Sequence, residues 1–331
     1  MNDFSRASPP IPPAGNSTLL VAIPCLNEAA TIAEVIKAVP VSIEGVDSVA
    51  VLVIDDGSTD NTAELAEASG AVVIRHTHNR GVGAAFKSAV EYAVANRFSL
   101  MVNIDGDRQF NPADIPQLTA PILAGEADMA TASRFVNPAM IPAMPKVKLW
   151  GNHMMSKLIS FLTRSRFHDV SCGFRCYSRE SLLHLNLHGA FTYTQETFLD
   201  LIAKQLRIVE VPIAVRYFAD RKSRVAGSIV NYAVNTSKII LRGYRDYFPL
   251  RFFWGISLVF LLPAILSGSF FWGHFLMTGK FSGYLFAGFI SAFLAVLSVI
   301  FFIVGILADM LVRIRVNQER ILYRLKKAGM G

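Results

Sequence analysis

The stretch "VNIDGDRQFNP", residues 102–112, sets Asp105 and Asp107 on either side of a single glycine. Two carboxylates this close repel each other unless something positive lies between them. Their oxygens, joined by Gln109 and with no histidine or thiolate nearby, suit Mg²⁺ or Mn²⁺. An ion held there can hold a diphosphate, which bare carboxylates would repel. A second acidic turn, "VIDDGSTDNT", carries Asp55 and Asp56 ahead of a Gly-Ser pair. Thr59 and Asp60 are candidate caps for the helix that follows, which accounts for part of this turn but not for two adjacent aspartates. In "HNRGVGAAFKSA", Gly81 and Gly83 open a helix, in neither the dinucleotide nor the P-loop pattern. Further on, "ADRKSRVAGS" gathers Arg221, Lys222 and Arg224.

These residues sit at the ends of apolar runs. "LLVAIP" precedes a helical stretch from Glu28, and "SVAVLVID" (48–55) precedes another helix. "AVVIRH" leads to a helix over residues 82–95, and "SLMVNID" leads to a helix near residues 112–123, followed by "ADMATAS". Strands alternating with helices imply an α/β fold with a mostly parallel sheet covered on both faces. Ligands of such sheets bind at the carboxyl ends of the strands, where both acidic turns fall.

The chain has 331 residues, 52% hydrophobic and 17% charged, with a net charge of +7. That is too apolar for an ordinary soluble protein. A basic, apolar chain points to a membrane protein with a cationic cytosolic face, and no stretch interleaves basic and aromatic residues as a nucleic-acid binder would. Cys25, Cys172 and Cys176 lack the second pair a zinc site needs and read as buried, reduced thiols. Residues 252–277 and 284–311 are each long and apolar enough to cross a bilayer. The link "TGKFSG" carries one charge, whereas Arg242, Arg245 and Arg251 precede the pair and Arg313, Arg315 and Arg320 follow it. The positive-inside rule then makes a hairpin with both flanks in the cytoplasm. Between the two regions, Asn231, Asn235, Lys238, Arg242 and Arg245 share one face of a helical wheel, and Ile229, Ala233, Ile240, Tyr244 and Tyr247 fall opposite. Such a helix lies in a membrane interface or packs against protein. The expected organisation is a disordered arm (1–17), a cytosolic catalytic domain (18–225), an amphipathic juxtamembrane helix (226–249), a transmembrane hairpin (250–312) and a basic tail (313–331).

"IPCLNEAATI", "VIDDGSTD", "NRGVGAAF", "DGDRQF", "ASRF" and "DVSCGFR", in this order, resemble the family 2 glycosyltransferases of GT-A fold over residues 19–224. With two spans after them, they most resemble the polyprenyl-phosphate type, such as dolichol-phosphate mannose synthases and bacterial undecaprenyl-phosphate glucosyltransferases. The resemblance implies that Pro24, Leu26, Glu28 and Asp56 surround the nucleoside, with Asp55 close by. It implies that Asp105, Asp107 and Gln109 bind the metal, Asp105 also bordering the nucleotide, and that Arg134 faces phosphate. Asp169 matches an acidic residue near the acceptor, with a catalytic or orienting role. The family often has arginine four residues before the serine aligned with Ser156; here that position is Asn152.

The implied reaction moves one sugar, glucose or mannose favoured, from a nucleoside diphosphate sugar to a polyprenyl phosphate, with inversion. Metal and arginine stabilise the leaving diphosphate. A hydroxyl acceptor would need a base; an anionic phosphate needs cations instead, which Arg221, Lys222 and Arg224 supply. The expected partners are the donor, the lipid acceptor, the membrane, a flippase downstream and a second copy of the chain. Two other readings stand beside this one. One is a glycan-extending synthase, against which the two spans and the missing QxxRW motif argue. The other is an inactive membrane scaffold, against which Asp105, Asp107 and Arg134 argue.

Overall fold

The computed structural model describes residues 17–142, 144, 146–186, 193–216, 237, 238 and 241–329. A seven-stranded sheet organises the first part of the chain. Its strands are β1 (Thr18–Cys25), β2 (Ser48–Asp55), β3 (Val72–Arg75), β4 (Leu100–Asn103), β5 (Met129–Ser133), β6 (Arg175–Ser178) and β7 (Ile208–Pro212). Their order is β3-β2-β1-β4-β6-β5-β7, parallel except for β6, which runs antiparallel to both neighbours. Central strands β1, β4 and β5 are buried along their whole length, as near-continuous apolar runs between two helical layers should be.

Helices α1 (Ile32–Lys37), α2 (Thr62–Ala68), α3 (Val82–Ala95) and α4 (Ile115–Leu123) make the crossovers, and α5 (Lys146–Thr163), α6 (Arg179–His184) and α7 (Tyr193–Ala203) complete the layers. Alternation along β1 divides its side chains. Leu19, Val21 and Ile23 join Ile32 and Val35 of α1 and Ile115 and Leu118 of α4 in one core. On β1 and β2 the register pairs Cys25 with Asp55, and Ala22 pairs with Asn103 on β4. The acidic turns therefore leave the sheet on either side of the end of β1.

The helix expected from Glu28 begins at Ile32, because residues 28–31 form a turn in which the Glu28 carbonyl accepts from the amides of Thr31 and Ile32. Asn61 holds the N-cap position of α2 without a side-chain bond, and the expected capping comes from Asp60, whose Oδ1 accepts from the Thr62 amide at the start of the helix (3.1 Å).

The chain divides into two compact units, residues 1–240 with 322–331, and residues 241–321. The second unit contains α8 (Pro249–Thr278) and most of α9 (Leu285–Ala328), both long and apolar enough to cross a membrane. At 1.5 Å per residue, α8 is about 45 Å long, against about 30 Å of hydrocarbon. Small residues bring the pair together. Ser257 Oγ donates to the Ser298 carbonyl (2.9 Å), Ser267 to Ala287 (2.8 Å) and Ser291 to Ala264 (2.8 Å), while a Cβ on Gly268 would stand 2.7 Å from Ser291 Oγ.

Residues 322–329 belong to the first unit. There Tyr323 Oη donates to Glu180 Oε1 (2.9 Å), and Lys326 Nζ donates to the Leu185 carbonyl (3.1 Å) and Asn186 Oδ1 (3.2 Å). A lysine on the carbonyls that end α6 is the favourable sign at a helix C-terminus.

Candidate functional site

The chain leaves β4 at Asn103, and the Ile104 amide still donates to Ala22 (3.0 Å), so Asp105 emerges beside the end of β1. The turn that follows is held from several sides. Thr31 Oγ1 donates to the Gly106 carbonyl (2.8 Å), the Gln109 amide donates to Asp107 Oδ1 (3.1 Å), and Arg108, at φ +62°, pairs with Glu34. Left-handed backbone at a non-glycine residue is uncommon and needs such support. Asp105 and Asp107 are half-buried.

Gly173 lies against Asp105. A Cβ on Gly173 would come 3.4 Å from Asp105 Oδ2 and 3.1 Å from the Tyr193 hydroxyl, so the cradle beside the carboxylate exists because position 173 has no side chain. The Tyr193 ring stacks on Phe86 (4.1 Å), and its hydroxyl accepts from Asn103 Nδ2 (2.8 Å). Burial, reinforced by the Asp105 charge, pushes this phenol well above its ordinary pKa, so it stays neutral. Among the described residues no three His, Cys, Asp or Glu side chains cluster as a metal cage. The turn offers two carboxylates and Gln109.

Asn27, at φ +52°, joins the ends of β1 and β2. Its amide donates to Ser58 Oγ (2.8 Å) and its Oδ1 accepts from the Thr59 amide (2.8 Å). The Glu28 amide donates to Thr62 Oγ1 (2.8 Å), and Asp60 accepts from the amides of Ala29 (3.3 Å) and Thr62 (3.1 Å).

The two adjacent aspartates have separate tasks. Asp55 is fully enclosed; Oδ1 accepts from the Ser58 amide (2.9 Å), and Arg75 Nε stands 3.1 Å from Oδ2 as an ion pair off hydrogen-bond alignment. Asp56 latches the loop after β3. It accepts from the amides of Arg80 (3.0 Å) and Gly81 (2.8 Å), and its Oδ1 is 2.6 Å from His76 Nδ1. His76 Nε2 lies 3.0 Å from Ser88 Oγ on α3, extending the latch.

Arg134 follows β5 directly. Its Nε and Nη2 donate to Asp169 Oδ2 (2.6 Å) and Oδ1 (2.8 Å), a two-pronged pair in which Asp169 is 0% exposed and the arginine side chain 10%. The Arg134 and Ser171 amides also donate to Asp169 (both 3.2 Å). Burial alone would raise the Asp169 pKa, but the Arg134 guanidinium outweighs it and holds the carboxyl below the usual aspartate range. Asp169 is thus ionised and fully engaged, a geometry for orienting Arg134 rather than for abstracting a proton. Behind it, Glu210 on β7 accepts from two successive amides, His168 (2.9 Å to Oε2) and Asp169 (2.8 Å to Oε1), and its Oε2 is 2.8 Å from His168 Nδ1. The stretch 169–173 therefore touches Arg134 at one end and Asp105 at the other.

Pro24 is buried at the end of β1, and Leu26 and Glu28 are half-buried in the turn beyond it. Arg221, Lys222 and Arg224 lie outside the described residues, as does most of the amphipathic segment 226–249. All three cysteines are buried free thiols; burial raises each pKa, that of Cys172 to about 12, which makes them inert. Asn27, Gly173, Tyr193 and Glu210 were not among the sequence candidates. Gly173 had a signal, since it sits inside "DVSCGFR".

A family model for "Glycosyl transferase family 2" matches residues 20–185, half of the chain. A polyprenol monophosphomannose synthase of Mycolicibacterium smegmatis is 29% identical over 234 residues, covering 65% of this chain and 83% of that protein. Glycosyltransferase AglJ of Haloferax volcanii is 34% identical over 191 residues, covering 57% of this chain but only 60% of AglJ. Among solved structures, glucosyl-3-phosphoglycerate synthase from Mycobacterium tuberculosis in complex with uridine diphosphate superposes with a TM-score of 0.53 at 25% identity, covering 70% of this chain and 81% of that one. These matches, the strand-end acidic turns and the mixed sheet agree on one conclusion: this chain is a glycosyltransferase of GT-A fold and belongs to glycosyl transferase family 2.

Proposed function

We propose that the enzyme moves one sugar, glucose or mannose favoured, from a nucleoside diphosphate sugar to a polyprenyl phosphate such as undecaprenyl phosphate, inverting the anomeric centre. The observation that carries this reading is the Arg134–Asp169 pair. It presents a fixed cation near the strand-end carboxylates, and its aspartate is already ionised and enclosed. A fixed cation whose aspartate is already ionised and engaged suits an anionic acceptor better than a hydroxyl that must lose its proton to a base. The likeness to a polyprenol monophosphomannose synthase supports the lipid phosphate, and the likeness to an enzyme solved with uridine diphosphate supports the donor class.

Asp105, Asp107 and Gln109 fit a divalent ion, Mg²⁺ or Mn²⁺. They are oxygen donors, the missing side chain at Gly173 leaves room at Asp105, and two carboxylates leave coordination positions for a diphosphate. When bound, such an ion neutralises charge on the leaving diphosphate. Pro24, Leu26 and Glu28 form the nucleoside wall. Asp55 and Asp56 act on it through the turns they hold, since this chain's own donors already occupy them. Arg134 stabilises phosphate charge, Asp169 keeps it aimed, and Arg221, Lys222 and Arg224 draw in the lipid phosphate. In this reading the catalytic unit faces the cytoplasm at the inner membrane, a flippase takes the product, and the chain works as a homo-oligomer.

The test incubates the enzyme in membranes with undecaprenyl phosphate and a panel of radiolabelled nucleotide sugars. A single-sugar lipid is expected from one donor, abolished by EDTA and restored by Mg²⁺ or Mn²⁺. Asp107→Asn should fold and lose activity, and Arg134→Ala should fall about a hundred-fold or more. Label in a long glycan, or full transfer in EDTA, overturns the reading.

A further inference from the structure

Arg175 is an enclosed cation whose hydrogen bonds reach neither the acidic turns nor Arg134. It stands on β6 at 0% exposure, among the largest fully buried side chains of the protein. Its Nη1 donates to the Thr194 carbonyl (2.8 Å) and to Thr197 Oγ1, and its Nη2 donates to the Val170 carbonyl (3.1 Å). Its Cζ lies 4.8 Å from the centre of the Phe198 ring. Each of these partners is neutral, and Nε has none among the described residues. An enclosed charge without a counter-charge is unfavourable, and an apolar side chain would fill a strand inside the sheet with less penalty.

The partners identify what the guanidinium joins. Val170 lies between Asp169 and Ser171, and both neighbours hold Arg134. Asp169 does so with both carboxylate oxygens (2.6 and 2.8 Å), and Ser171 Oγ accepts from Arg134 Nη2 (2.9 Å). Thr194 follows Tyr193, whose hydroxyl shares the Gly173 cradle with Asp105. Across the sheet, Arg175 lies opposite Asn103 of β4, whose Nδ2 donates to the Gly173 carbonyl (3.1 Å) and the Tyr193 hydroxyl (2.8 Å). These two neighbours thus tie the same two segments together, residues 169–173 and the start of α7. A planar guanidinium fixes several bond directions at once, which a lysine ammonium on its flexible stem does not.

We propose that Arg175 is a positioning residue of the glycosyl transfer, which keeps Arg134 aimed by holding the Val170 carbonyl and itself touches no substrate. Residues 169–173 lie outside strands and helices, so bonds of this kind are what fix them. Glu210 holds the amides of His168 and Asp169 from one side, and Arg175 holds the next carbonyl from the other. Asp169 and Ser171 are thereby set at one separation and one angle to Arg134. The inference rests on the reading that Arg134 stabilises phosphate charge.

The test is a double-mutant cycle on the full chain in membranes, with undecaprenyl phosphate and whichever of UDP-glucose and GDP-mannose the wild type turns over. Arg175→Lys should lower kcat about ten- to a hundred-fold and leave the donor KM within about three-fold, the split expected when a contact made in the transition state is misaimed. In an Arg134→Ala background the same replacement should cost less than about two-fold, since no guanidinium is left there to aim. Thr197→Val removes one acceptor of the Arg175 guanidinium. It should show a smaller loss with the same dependence on Arg134, and it carries the test if Arg175→Lys does not fold. An equal factor lost with and without Arg134 makes Arg175 a packing residue and overturns the proposal, as does a raised donor KM at unchanged kcat. Full rate in Arg134→Ala alone would remove the phosphate role of Arg134 itself, and the proposal falls with it.

Discussion

Asp169 carries a full charge while wholly enclosed, and its partner sets the consequences. The folded pKa lies below the ordinary value of about 3.9, so the pair contributes stability above that pH and loses it as pH falls through the folded pKa. Asp169→Asn leaves Arg134 as an enclosed cation without its counter-charge and should cost about 3–5 kcal/mol at neutral pH. Denaturant midpoints should show the gap from wild type widest near pH 7 and narrowing in acid; a gap independent of pH would refute the assignment. Asp105, Asp107, Arg134 and Asp169 were legible as residues because short motifs announce them. Glu210 was not. It lies in "RIVEVP", 41 residues from Asp169, and acquires its two amide donors only once β7 pairs with β5 and sets Glu210 opposite Thr131.

At the scale of elements, strand ends do the positioning, and tight turns connect them. Gly57, at φ +80°, follows the Asp55–Asp56 pair, and a Cβ there would stand 2.7 Å from the backbone carbon of His78. Backbone cannot swing aside as a side-chain tip can. Gly57→Ala should therefore lower stability by about 2 kcal/mol or more and weaken nucleotide binding, because the 76–81 loop must move; unchanged unfolding midpoint and donor affinity would show the turn to be slack. The ranges of β2 and α3 were legible from apolar runs and from the glycine that opens α3. Strands β6 and β7 were not. β6 is four residues, Arg175–Ser178, with a fully buried arginine in it, and nothing in so short a run signals a strand reversed within a parallel sheet. Arg175 is tolerated because its guanidinium donates to the carbonyls of Thr194 (2.8 Å) and Val170 (3.1 Å) and stacks over Phe198 (4.8 Å), partners that only the folded chain supplies.

For the whole molecule, the charge asymmetry around the link between α8 and α9 predicts which side of a membrane it faces. Ser282 is exposed in that link, and the three native cysteines are buried. Ser282→Cys should thus react with an impermeant thiol reagent added to intact cells, and labelling only after lysis would reverse the hairpin. Composition made the two apolar helices legible, since length and hydropathy alone define them. What it did not disclose is that residues 322–329 return to the catalytic unit, fastened by Tyr323 on Glu180 and Lys326 on the end of α6. This closure has a bearing on synthesis. Translation delivers residues 1–240 long before residue 322, with both apolar helices made in between. The sheet can assemble early, as amino-terminal units do. Its last fastening waits until the whole hairpin has left the ribosome, so a chain stalled after α8 would hold a formed sheet whose α6 end is still uncovered.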